Sequence, residues 1–80
     1  MTGYRREDFT FNADANGYML FFRGKPIGGA GVKLPREKRL HWKHARANIQ
    51  EFAGNAGSEI QLLLEGRGQR RFIDAIQKEA

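Results

Sequence analysis

Eighty residues, 40% hydrophobic and 29% charged with a net charge of +5, suit one small domain (1–80) whose single core is only just sufficient. The absence of cysteine excludes a disulfide framework and a thiolate metal site. The longest apolar run, Tyr18 to Phe22, is too short to cross a bilayer. The charged opening residues lack the apolar stretch of a signal peptide, so a cytoplasmic protein is expected.

In chain order, residues 1–7 are expected to form a flexible arm. Phe9-Thr10-Phe11 alternates with period two and predicts a short first strand. Asn12 to Gly17 is dense in turn formers. A loop over residues 13–16 sets Phe11 opposite Tyr18 and Phe9 opposite Leu20. Gly17 to Leu34 then reads as two strands joined by Arg23-Gly24-Lys25-Pro26, with Gly24 at the first central position of a type II′ turn. That turn sets Phe22 opposite Ile27, Leu20 opposite Gly29, and Tyr18 opposite Gly31. Phe9, Phe11, Tyr18, Leu20, Phe22 and Ile27 share one face of the resulting meander. Large side chains of the middle strand are expected to cover the neighbouring glycines. The second face carries Thr10, Met19, Phe21, Arg23, Ala30 and Val32 and is expected to be covered by the last helix.

Lys33 to Arg39 is a basic connection, and a helix should follow from about Lys38. At 100° per residue, Trp42, Ala45, Ile49, Phe52, Ala53, Ala56, Ile60, Leu63 and Leu64 form one stripe facing the core. The stripe keeps phase through Gly54-Asn55-Ala56-Gly57, as a single helix to residue 65 would require. Two glycines and the capping-box pattern Ser58-Glu59-Ile60-Gln61 instead predict a kink or break near residues 54–58. Gly66-Arg67-Gly68 stops the chain, and Gln69 to Lys78 predicts a short final helix with Phe72, Ile73 and Ile76 on one side. The expected fold class is α+β: a three-stranded antiparallel β-meander, a long kinked helix and a short C-terminal helix.

Chemistry-bearing motifs are few. The glycines of residues 24–31 fall inside a strand and no Gly-Lys-Ser/Thr follows, so a nucleotide-cradling loop is not expected. His41 and His44 lie three apart, but Glu37, the nearest third ligand, stands among cations. Ser58 reads as a cap, and Glu51, Glu59 and Glu65 as solvated helix residues. No nucleophile stands with its base, so neither an enzyme nor a cofactor is expected.

Charge is the strongest signal. Arg23 to Arg46 holds eight cations against Glu37 alone, a surplus of seven that leaves −2 for the rest of the chain. Lys38, Arg39, Lys43 and Arg46 open a helix, where the dipole disfavours cations and free N–H groups invite an anion. Arg67, Arg70 and Arg71 repeat the pattern at the last helix. This predicts non-catalytic binding of a DNA or RNA backbone through Lys25, Lys33, Arg36, Lys38, Arg39, Lys43 and Arg46, with Arg67, Arg70 and Arg71 second. The alternative is a small interaction module whose basic patch meets an acidic protein surface, as in accessory or inhibitor proteins of phages and mobile elements. Monomer and homodimer are equally open.

Phe22-Arg23-Gly24-Lys25-Pro26-Ile27-Gly28-Gly29-Ala30-Gly31, followed by basic residues leading into His44-Ala45-Arg46-Ala47-Asn48, resembles the β-β-β-α part of double-stranded-RNA-binding domains. The resemblance covers residues 18–53 and implies that Lys38, Arg39 and Lys43 grip phosphates across a groove. That family's first helix has no counterpart here, and its Ser-Lys-Lys core is missing from the longer link after Gly31. The element order is also similar to the arm-binding domains of phage-type integrases, which lay a sheet in a DNA groove.

Overall fold

In the computed structural model, which describes residues 3–31 and 42–79, alternating apolar residues build a three-stranded antiparallel sheet. Strands β1 (Phe9–Asp14), β2 (Gly17–Phe22) and β3 (Lys25–Gly31) lie in the order β1-β2-β3. Helices α1 (Trp42–Leu64) and α2 (Arg70–Glu79) follow. The α+β meander read from the chain is the observed architecture.

The first hairpin is tighter than expected. Phe9 pairs with Phe22, Phe11 with Leu20 and Ala13 with Tyr18, so only Ala15 and Asn16 form the turn. The Asp14 carboxylate closes it, Oδ1 accepting from the Asn16 and Gly17 N–H groups at 2.7 and 3.0 Å. The slip is two residues, an even number, so every side chain keeps its expected face.

In the second hairpin Arg23 and Gly24 are the central residues, with φ of 51° and 83°. Both are positive, which makes the turn type I′ rather than II′. Arg23 is the only non-glycine described at positive φ, a conformation that costs an L-residue about 1–2 kcal/mol. Beyond the turn a bulge intervenes. Phe21 pairs with Pro26 but Leu20 with Gly28, leaving Ile27 as the extra residue, turned into the core. A Cβ at Gly29 or Gly31 would run into the carbonyl oxygens of Tyr18 or Asn16. The glycines of β3 are therefore there for close backbone approach, not to be shielded by rings from β2.

Phe9, Tyr18, Leu20, Phe22 and Ile27 bury against Ala56, Ile60 and Leu63 of α1 and Phe72 and Ile76 of α2. Both helices thus lie on one face of the sheet, α1 over β1 and β2 and α2 over β3. The expectation that Phe72 and Ile76 cover the second face fails. The Phe72 ring instead packs on Gly28 from the core side, and Thr10, Asn12 and Met19 stay exposed; the bulge moves Ala30 off that face to a place opposite Tyr18, and Val32 lies outside the described residues. The expected arm is also docked from Tyr4 onward. Its ring meets Phe9 and Phe22 edge-on at 6.1 and 5.2 Å, and a 3-10 turn (Arg6–Asp8) leads into β1.

Helix α1 is unbroken over its 23 residues, against the predicted kink at 54–58. Ala56 and Ile60 are buried on either side of Gly57, and their packing outweighs about 1 kcal/mol of lost helix preference per glycine. Ser58 is an exposed interior residue, not a cap. The helix ends where expected. Gly66 is left-handed, Arg67 N–H bonds the Leu62 carbonyl at 2.7 Å, and Gly66 N–H bonds that of Leu63 at 3.1 Å. These are the paired bonds of a Schellman motif.

Candidate nucleic-acid interface

The meander fixes where charge can gather. Its two turns sit at opposite ends of strands about 20 Å long. At one end are Ala15-Asn16 and, paired with Gly17, the last residue of β3, Gly31. At the other are Arg23, Gly24 and Lys25. Asn48 Nδ2 donates to the Ala15 carbonyl at 3.3 Å, which anchors the early turns of α1 to the first end. The chain therefore leaves the sheet and re-enters at α1 from the same side.

Lys33, Arg36, Lys38 and Arg39 lie outside the described residues, as does His41. Lys43 belongs to the first turn of α1, which contains no acid. Arg46 is exposed one turn on, and positions 43 and 46 share a helix face. Lys25 is exposed too, but at the far end of the sheet. The structure does not bring Lys25 and Arg46 together: among the described cations of the expected surface, these two lie toward opposite ends of the sheet.

At the turn end, the Arg23 guanidinium lies over the Phe22 ring, 4.8 Å from its centroid. Its Nε donates to Asp8 Oδ1 at 3.5 Å, and its backbone N–H to the Asp8 carbonyl at 2.7 Å. The Arg5 N–H donates to Asp8 Oδ2 at 3.0 Å. That bond first, and the Arg23 side chain after it, hold the Asp8 carboxyl below its usual range.

The C-terminal arginines are less available than their spacing suggests. Arg70 pairs with Asp74 at 3.0 Å across one helical turn, and Arg67 reaches Glu65 at 4.0 Å. Arg71 donates from Nε to Gln69 Oε1 at 2.9 Å and stacks on Phe72 at 4.3 Å. Glu59, expected in solvent, is only 6% exposed and accepts the Gln69 N–H at 2.8 Å. An acid from α1 thus stands at the start of α2 and answers the positive end of its dipole. Burial, then the nearby Glu59 charge, pushes the Tyr18 hydroxyl up, and Arg71 partly offsets this. The other two acids, Glu51 and Glu65, are exposed as expected.

A shallow depression at the first turn is lined by Asn12, Asp14, Asn16, Tyr18 and Met19. Among the described residues no cation lines it, and Asp14 is engaged in closing the turn. Among the described residues no cluster of three His, Asp or Glu could hold a metal ion, and no helix is long and apolar enough to cross a membrane. Comparison with protein-family models, with curated proteins and with solved structures finds no match.

Proposed function

We propose that this chain binds the sugar-phosphate backbone of DNA or RNA without catalysis, chiefly at the end of the sheet where α1 begins. One observation carries the reading. The first turn of α1 holds Lys43 and no acid, whereas the equally basic start of α2 is supplied with Glu59. A helix start whose own first turn lacks an acid favours an anion through its N–H groups and its dipole, and a phosphate oxygen satisfies both. Lys33, Arg36, Lys38 and Arg39 precede it directly in sequence and add to the attraction. Lys25 contributes from the far end. Arg70, held by Asp74 at 3.0 Å across one helical turn, contributes less.

Fluorescence anisotropy with 20-base-pair DNA and RNA duplexes and a single strand tests the reading. With about four phosphates neutralised, affinity should fall about 10²-fold between 50 and 200 mM salt. Reversing charge at Lys38, Arg39 and Lys43 together should abolish binding while thermal unfolding stays cooperative. Absence of binding to every oligonucleotide, with retention of an acidic protein from nuclease-treated lysate, would favour the protein-partner alternative instead.

A further inference from the structure

Arg23 occupies a place where arginine is a poor local choice. The first central residue of a type I′ turn favours asparagine, aspartate or glycine, which tolerate positive φ. Here the position is filled by a long cation, its side chain 62% exposed. What surrounds it is not a burial site but a holder. Asp8 engages Nε at 3.5 Å, and the guanidinium carbon lies over the Phe22 ring, 4.8 Å from its centroid. Asp8 is itself fixed by the Arg5 N–H group. Among the described residues the side chain's one hydrogen bond uses Nε, so the two terminal nitrogens keep their donors for something else.

We propose that Arg23 is a phosphate-binding residue, its guanidinium fork pre-set by Asp8 and Phe22 to take two oxygens of one backbone phosphate. The inference rests on the nucleic-acid reading above and extends it to the turn end. A planar guanidinium presents paired donors whose spacing matches phosphate oxygens, and the contacts with Asp8 and the Phe22 ring remove part of the side-chain freedom that binding would otherwise cost. Lysine in the same place would supply charge but no fork. The exposure at the turn tip leaves room for a strand of nucleic acid to approach.

The test uses the full chain, its R23N and R23K variants, a 20-base-pair duplex and thermal unfolding. Asparagine suits the turn, so R23N should melt within about 3 °C of the parent. Its affinity at 0.1 M salt should drop about eightfold and its salt slope by about one, the signature of one lost phosphate contact. R23K should keep the slope and lose about two- to threefold. If the parent binds and R23N binds within twofold of it, the inference is overturned. Should R23N melt lower, R23K decides: weaker binding with unchanged melting supports the fork, and unchanged binding overturns it. Displacement of the duplex by poly-L-glutamate at equal charge concentration would overturn the assignment to phosphate. A parent that binds no oligonucleotide would instead sink the wider nucleic-acid reading, a separate result.

Discussion

Replacing Glu59 with alanine removes the carboxylate that joins α1 to the start of α2. The side chain is 6% exposed and its oxygen lies 2.8 Å from the Gln69 N–H. Without it that N–H loses its partner at a half-buried site, at a cost of about 1–3 kcal/mol. Loss of the buried γ-methylene adds about 0.8 kcal/mol, and the lost acid at a helix N-terminus a few tenths more. A total near 3 kcal/mol should lower the melting temperature of a domain this size by roughly 12–24 °C. E59Q keeps an oxygen that accepts the same bond, so its loss should stay near 1 kcal/mol, roughly 5 °C. Circular dichroism melts measure both, and amide exchange should show early loss of protection in α2 for E59A. An E59A melt within 2 °C of the parent would refute the reasoning. E59Q as damaging as E59A would show that the charge, not the hydrogen bond, secures the joint.

Two further outcomes follow from local geometry. A Cβ at Gly54 or Gly57 meets open space, so G54A and G57A should each stabilise by about 0.5–1 kcal/mol, read as a higher melting temperature; destabilisation would mean that α1 bends there. Asp8 is held below its ordinary value of 3.8 by bonds that require the carboxylate. Its contribution is therefore present above that value and lost as pH falls through the depressed folded-state one. Acid titrations of the parent and D8N should accordingly diverge above the transition and converge below it, whereas parallel curves would place Asp8 outside the network.

Much of this architecture was legible because period and parity survive local error. The face assignment of β1 and β2 depended only on alternation, so a hairpin misjudged by two residues still put Phe9, Phe11, Tyr18 and Leu20 inside. The turn type was misread because Arg23 looks like a strand residue, and nothing local announces that the protein sustains it at positive φ. Continuity of α1 was misread for a related reason. Glycine preference is a local quantity, while the burial of Ala56 and Ile60 that overrides it depends on β1 and β2, more than thirty residues upstream. Glu59 shows the limit most clearly. A glutamate at a mid-helix position reads as solvated unless one knows that the Gly66 turn folds Gln69 back onto it. Charge was legible as an amount, but the place of Lys25 relative to Arg46 was not, since the two are separated by the direction of β2 and β3.

That separation has a consequence for how stability and binding divide along α1. Its second half carries the core through Ala56, Ile60 and Leu63, all buried. The first half sheds burial toward its start: Phe52 is half-buried, and Ile49, in phase with the same stripe, is 41% exposed. The geometry requires this, because a 23-residue helix runs about 34 Å while the strands beneath it span about 20 Å. Some turns must overhang, and the Asn48 bond to Ala15 sets the overhang at the basic end. Charge can therefore be changed at exposed Arg46 with little effect on the packed half, since exposed substitutions away from caps and cores usually cost under about 0.5 kcal/mol. Loss of oligonucleotide binding in such variants then reads as lost contact with phosphate, not as lost fold.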